Sequence, residues 1–175
     1  MKLSVEVIQT PLGPLTLALT SQDALCGVAF EHRRESMWEF IQRRFESSSL
    51  AAEATKRRGT AAGEAIQRYF GGEIDALDGI KVDGGGSEFQ RSVWAALRLV
   101  RGGMTASYSE LARGIGKPTG FRAVATANAI NPVAIVIPCH RIIHADGSIS
   151  GYGGGVERKR WLLHHEAENA PFQLS

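Results

Sequence analysis

The stretch Val133-Ala134-Ile135-Val136-Ile137-Pro138-Cys139-His140-Arg141 joins a five-residue apolar run to a proline and then to a thiol followed by an imidazole and a guanidinium. An apolar run rich in β-branching predicts a buried strand. Pro138, with no N–H and a fixed φ, predicts where its ladder stops. Cys139 is therefore expected just past a rigid element. A thiol so placed is a candidate nucleophile where neighbouring groups favour the thiolate, and His140, Arg141 and Lys159 are the candidates to do so. Taken alone, a free cysteine is more often a packing residue. The adjacent cations argue for chemistry, because burying a cation beside a core thiol costs free energy unless it is paired or used.

Working outward, Gly151-Tyr152-Gly153-Gly154-Gly155 is nearly bare backbone, suited to close approach of N–H groups to a ligand or to a plain turn. Upstream, Lys117-Pro118-Thr119-Gly120 separates a short helix begun by Ser107 from a second one spanning about Phe121 to Ala129. Two short helices about a tight turn predict a helix-turn-helix. The second helix carries Ala123, Ala125, Ala127 and Ala129, which leave one side slim. Ser87 predicts the cap of a packing helix with Phe89, Val93, Trp94 and Leu97 on its apolar face. Nearer the N-terminus, residues 3–9, 15–19 and 24–30 have strand patterns around the Pro11-Leu12-Gly13-Pro14 turn, predicting a small antiparallel sheet. Helical spacing follows at 36–46 and 63–70. The glycine-rich stretch Asp78–Ser87 is the expected linker. These elements predict an α/β protein with an N-terminal domain over 1–80, a linker over 81–87 and a C-terminal domain over 88–175.

Composition bounds the partners. At 175 residues and 43% hydrophobic content the chain can build one domain or two small ones. A net charge of +2 is too small to argue for nucleic acid by itself. Basic residues in the second half, among them Arg91, Arg98, Arg101, Arg113, Lys117, Arg122 and Arg141, are the candidates for a DNA surface. No apolar stretch approaches the ~20 residues that span a bilayer, and the first residues lack the apolar segment of a secretory signal, so a cytoplasmic location and no membrane partner are expected. Cys26 reads as a small buried apolar residue, and a disulfide to Cys139 is not expected in a reducing compartment. Cys26 and His32 are too few for a structural zinc site, so no metal is expected. No glycine-rich nucleotide motif opens a helix after a strand, and no cofactor is expected.

These words together resemble the O6-alkylguanine-DNA alkyltransferases, the methylated-DNA–protein-cysteine methyltransferases, of bacterial type. The resemblance rests on Asn131-Pro132, Ile135–Arg141, Gly151–Gly155, Lys159 and Trp161-Leu162-Leu163-His164-His165-Glu166. It extends to Phe89–Trp94, Ser107-Tyr108 with Glu110-Leu111-Ala112, Arg122-Ala123-Val124, Pro11–Leu15 and Tyr69–Glu73. It covers nearly the whole chain and departs from the family at Arg101-Gly102-Gly103, where a proline is common.

The resemblance implies a ribonuclease-H-like N-terminal domain and a winged-helix-like C-terminal domain. It implies repair of O6-methylguanine, and of O4-methylthymine as a further substrate, by irreversible transfer of the alkyl group to Cys139. His140 is then the base, Glu166 its orienter, and Tyr108 the residue that steers the flanking phosphate and donates to guanine N3. Arg122 fills the stack vacated by the extruded base, while Thr119, Ala123 and Ala125 belong to a helix-turn-helix in the minor groove of duplex DNA. Asn131 is a hinge, Tyr152, Gly153 and Gly154 line the lesion pocket, Lys159 holds that loop, and Arg141 supports the site. A monomer in solution is expected, with cooperative assembly on DNA as an option. Two other readings stay open: a noncatalytic alkylguanine-binding protein, against which Cys139 counts, and a cysteine hydrolase, which explains neither Arg122 nor the helix-turn-helix.

Overall fold

A computed structural model describes residues 2–149 and 151–170. The chain forms two compact units: one runs as far as Gly85 and includes Pro132–Ala134, and the other comprises Gly86–Asn131 and the chain from Ile135 onward. No helix among the described residues is long and apolar enough to cross a membrane.

In the first unit, β1 (Ser4–Thr10), β2 (Gly13–Leu19) and β3 (Leu25–Phe30) form an antiparallel meander. Its first turn closes where Thr10 Oγ1 donates to Gly13 O at 2.7 Å, with Gly13 at φ 103°. Every residue of β3 is buried, and α1 (Arg34–Arg44) lays Met37, Trp38 and Ile41 against that face. The approach is close: a Cβ on Gly27 would lie 2.7 Å from Met37 Sδ. Beyond the short α2 (Leu50–Glu53), β4 (Thr55–Lys56) pairs parallel with β1. The sheet is therefore mixed, in the order β3-β2-β1-β4, not purely antiparallel. Two exposed polar residues carry no alternation, and their pairing is fixed by Thr55 N–H to Leu3 O at 2.9 Å and Arg57 N–H to Val5 O at 2.8 Å.

The expected linker is ordered in its first half. Leu25 N–H donates to Lys81 O at 2.9 Å and Asp83 N–H to Leu25 O at 2.8 Å, so residues 81–83 run along β3. Arg44 holds the same point through Asp83 O at 2.5 Å and Asp83 Oδ1 at 2.6 Å.

The second unit is mostly helical. Ser87 and Gln90 form a reciprocal capping box at the start of α4 (Glu88–Arg98). It packs with α5 (Tyr108–Gly114) and α6 (Phe121–Ala129) through Val93, Leu97, Leu111, Ala112 and Val124, and Trp94 Nε1 donates to Ala127 O at 2.9 Å. The strands β5 (Ala106–Ser107) and β6 (Ile142–Ile143) pair parallel, and α7 (Val156–Asn169) ends the described fold.

The expected strand over Val133–Ile137 does not form. Val133 makes a single parallel bridge to Val28, and the residues after it turn, with Ile135 at φ 71°. Val133, Ile135, Val136 and Ile137 are nonetheless all buried. Apolar content predicted their burial, but a buried turn and a buried strand share that signature. A β-branched residue in the left-handed region costs of order 1–3 kcal/mol and persists only where its surroundings enforce it.

One polar device holds α3 (Ala61–Phe70) to β1. The buried Glu6 carboxylate accepts from Gly59 N–H at 2.7 Å, from Thr60 N–H at 3.3 Å and from the Thr60 hydroxyl, at the helix N-terminus. A Cβ on Gly63 would lie 2.5 Å from Glu6 Oε2. Helix propensity favours alanine over glycine by about 1 kcal/mol. Here the order reverses, because a methyl at position 63 displaces a buried carboxylate from its donors. Gly63→Ala is expected to lower stability by about 1–3 kcal/mol in urea denaturation; a midpoint raised above the parent's contradicts this account of Glu6.

Candidate active site

Pro138 lies at φ −83°, ψ 64°, and Cys139 N–H donates across it to Ile137 O at 2.8 Å. This is an inverse γ-turn, a conformation the pyrrolidine ring favours by fixing φ. It leads straight into a single 3₁₀ turn, Cys139–Arg141, closed by Arg141 N–H to Pro138 O at 3.0 Å. Cys139 thus sits at a sharp corner and is 8% exposed. Asn131, which follows α6, sends its Nδ2 to Ile137 O at 2.8 Å and to Cys139 Sγ at 3.2 Å.

The opposite wall is α7. Lys159, Leu162 and Glu166 recur at helical spacing and form its buried stripe, so two charged groups face inward. Lys159 Nζ donates to Ile142 O at 2.5 Å. The Glu166 carboxylate receives three donors: His140 Nε2 at 2.6 Å and Arg141 Nη2 at 3.0 Å on Oε1, and Arg141 Nε at 2.9 Å on Oε2. Arg141 Nη1 also donates to Val100 O at 2.7 Å. Arg141 is accordingly not part of a DNA surface: it is 4% exposed and spent on Glu166. A fork of guanidinium donors matches a carboxylate bidentately, and burial makes that pairing necessary.

These contacts set the protonation states. Burial works against ionisation of Glu166, but the charge that His140 carries when protonated, its hydrogen bond, and the hydrogen bond and charge of Arg141 outweigh it and hold the carboxyl well below its usual range. Burial pulls His140 below its ordinary value, opposed by Glu166. An ionised carboxylate only accepts, so the neutral imidazole carries its proton on Nε2 and its Nδ1 is left as an acceptor. Among the described residues that buried Nδ1 has no hydrogen-bond partner. Burial raises the Cys139 thiol above its usual value, against the Asn131 hydrogen bond and the Lys159 charge. At rest the site holds a thiol beside a neutral base.

Tyr152 sets its ring edge-on to His140 at 6.4 Å, and burial, then Cys139, keeps its hydroxyl protonated well above the ordinary range. The turn Tyr152–Gly155 closes with Gly155 N–H to Tyr152 O at 2.8 Å, and Arg158 Nη1 donates to Gly154 O at 3.0 Å. Gly153 is exposed and Gly154 buried. The structure therefore gathers Cys139, His140, Arg141, Asn131, Lys159, Tyr152 and Glu166. Tyr108 opens α5, while Thr119, Arg122 and Ala123 lie exposed on α6 and the turn before it, with Ala125 half-buried.

Residues 88–168 match the family model for 6-O-methylguanine DNA methyltransferase, DNA binding domain. The methylated-DNA–protein-cysteine methyltransferase of Salmonella typhimurium is 37% identical over 166 residues, 95% of this chain and 96% of its own. That of Mycolicibacterium paratuberculosis is 40% identical over 168 residues, 96% and 94% of the two chains. The crystal structure of Mycobacterium tuberculosis OGT in complex with DNA superposes with a TM-score of 0.78 at 36% identity, covering 98% of this chain and 96% of that one.

The chain belongs to the methylated-DNA–protein-cysteine methyltransferase family. The activity is transfer of the methyl group of O6-methylguanine in DNA to a cysteine of the protein itself, a repair reaction. Within this family member, the bidentate use of Arg141 and the γ-turn at Pro138 were not foreseen. The spacing of Lys159, Leu162 and Glu166 on one helical face carries a signal for the first, because a buried acid on an apolar stripe requires a buried partner. Nothing in the apolar run signals the second.

Because the Glu166 pKa is depressed from an ordinary 4.5, its stabilising effect is fully present above that value and is lost as pH falls through and below it. Glu166→Gln leaves Arg141 buried without a countercharge, which costs about 3–5 kcal/mol. The gap in unfolding free energy between parent and Glu166→Gln is therefore expected to be widest near pH 7 and to narrow on acidification below about pH 4.5. A gap that stays constant in denaturant titrations across that window rules out an ionised Glu166 as the source of the stabilisation.

Proposed function

We propose that Cys139 is the methyl acceptor and that the protein extrudes O6-methylguanine from duplex DNA to reach it. The carrying observation is the pinned imidazole: Glu166 holds His140 through Nε2, leaving a buried acceptor, Nδ1, on the residue next to the only thiol of the second unit. His140 takes the Cys139 proton, directly or through a water, and Glu166 balances the imidazolium. The thiolate attacks the methyl carbon; the S–C bond forms as the C–O6 bond breaks, and the electron pair leaves with guanine, which takes up a proton. A thioether has no comparable leaving reaction, so each molecule acts once. O4-methylthymine offers the same methyl–oxygen bond and is the further substrate.

A stacked base keeps its O6 substituent out of reach of a protein thiol, which is why extrusion is required. Exposed Arg122 at the start of α6 is suited to fill the vacated stack, since a guanidinium stacks and hydrogen-bonds at once. The small residues Ala123 and Ala125, with Thr119 in the turn before them, allow α6 to lie in the minor groove. Tyr108 steers the flanking phosphate and donates to guanine N3, where charge develops. Tyr152, Gly153 and Gly154 wall the lesion pocket. Lys159 supports it from α7 and supplies a countercharge to the thiolate, and Asn131 joins α6 to the cysteine turn. In this reading the units correspond to a ribonuclease-H-like domain and a winged-helix-like domain. The protein works as a cytoplasmic monomer without metal or cofactor.

Incubation with O6-methylguanine duplex should add one methyl to Cys139 by mass spectrometry. Cys139→Ser should lose transfer while still binding DNA, and Cys26→Ser should transfer normally. Methyl found elsewhere, or transfer by Cys139→Ser at the parent rate, overturns the assignment.

Arg122→Ala should slow repair of duplex by roughly tenfold or more relative to its effect on a free modified base, because only the duplex requires unstacking, a cost of a few kcal/mol. Equal losses on both substrates count against insertion.

A further inference from the structure

The two short parallel strands of the second unit set a pair of rings side by side. β5 and β6 match Ala106 with Ile142 and Ser107 with Ile143, so the next residue on each strand, Tyr108 and His144, leave the ladder together. Their ring centroids are 6.1 Å apart with the planes inclined at 56°. Both backbones are pinned. Ser107 Oγ caps α5 by accepting from Glu110 N–H at 3.1 Å. His144 closes a tight turn, donating its N–H to Ser148 O at 3.0 Å and accepting Gly147 N–H at 2.9 Å. Asp146 Oδ1 completes that turn, taking Ser148 N–H at 2.9 Å and Ser148 Oγ at 2.6 Å. The imidazole is nonetheless exposed, on a rigid support next to Tyr108.

We infer that His144 is a DNA-contact residue that, protonated, grips the backbone phosphate passing over Tyr108, so that DNA binding takes up a proton. The inference rests on the reading of Tyr108 as a DNA-facing residue. An imidazolium offers two N–H donors and a charge opposite to phosphate, and the Tyr108 ring walls one side of it. The titratable groups set against it are Tyr108 on α5 and Asp146 in its own turn, whose carboxylate interacts with the His144 charge.

The sign follows from linkage. Phosphate favours the protonated imidazole over the neutral one, so the contribution to affinity is full at low pH and is lost as pH rises and the proton leaves. The test compares three full-length proteins, each also carrying Cys139→Ser to prevent transfer: His144 retained, His144→Gln and His144→Arg. Affinity for an O6-methylguanine duplex is measured at fixed salt from pH 5.5 to 8.5. With His144 retained, affinity should fall about two- to fivefold more across this range than in His144→Gln, the size of one exposed charge pair. His144→Arg should bind at pH 8.5 more tightly than the His144 protein and show the shallower slope of His144→Gln, because its charge does not titrate.

Equal slopes with His144 and with Gln overturn the inference. So does an Arg variant as weak as Gln at low pH, which would mean that His144 acts by shape. If the protein retaining His144 fails to bind the duplex at any pH, the underlying reading of Tyr108 and α6 fails instead.

Discussion

A single buried carboxylate organises the second unit. Glu166 lies on the inward face of α7 and binds both residues that follow the cysteine, His140 through one oxygen and Arg141 through both. Arg141 continues to the Val100 carbonyl, so one ion pair ties the last described helix, the cysteine turn and the segment after α4. Such a pair is weak evidence for stability in itself, since desolvation offsets much of the attraction. Its worth is positional: with every donor engaged, the carboxylate has one arrangement, and the imidazole beside Cys139 has one tautomer.

The charges then balance in a way that bears on reactivity. Arg141 and Glu166 neutralise each other and His140 is neutral, which leaves Lys159 as the cation facing the thiol. Burial lowers the lysine pKa and raises that of the cysteine, while each is favoured in its charged form by the other. The site is therefore held as a neutral thiol but has a countercharge ready for a thiolate. A thiol held in this way oxidises and alkylates far less readily than a thiolate.

Much of this was legible in the residues. The bounds of α6 were read as found, because Lys117-Pro118-Thr119-Gly120 punctuates its start and Asn131-Pro132 lies just past its end, and the cap at Ser87 is a local signal with a local cause, whereas the reciprocal bond from Gln90 was not read. The cysteine cluster was legible mainly by its resemblance to a family, since Glu166 is distant in sequence from Cys139. What was not legible depends on tertiary forces. β4 exists only because β1 offers an open edge, and residues 81–83 are ordered only because β3 offers theirs. At Val133–Ile137 the apolar content spoke for burial and was right, but it spoke equally for a strand. Ile135 at φ 71° is the kind of local violation that no propensity foretells.

That violation stands between two ends of the same machine. Residues 132–134 belong with the first unit and Ile135 with the second, and the chain turns at 134–136 before it reaches Cys139. The turn is stabilised from one side by Asn131, whose amide donates to the Ile137 carbonyl and to Sγ together. Asn131 also ends α6, its N–H reaching the Asn128 carbonyl at 3.4 Å. One side chain thus measures the position of the helix proposed to lie in the groove against the position of the sulfur. Because its donor group is shared between a carbonyl and the sulfur, the amide fixes Sγ against the turn at Ile137 and against the end of α6 together.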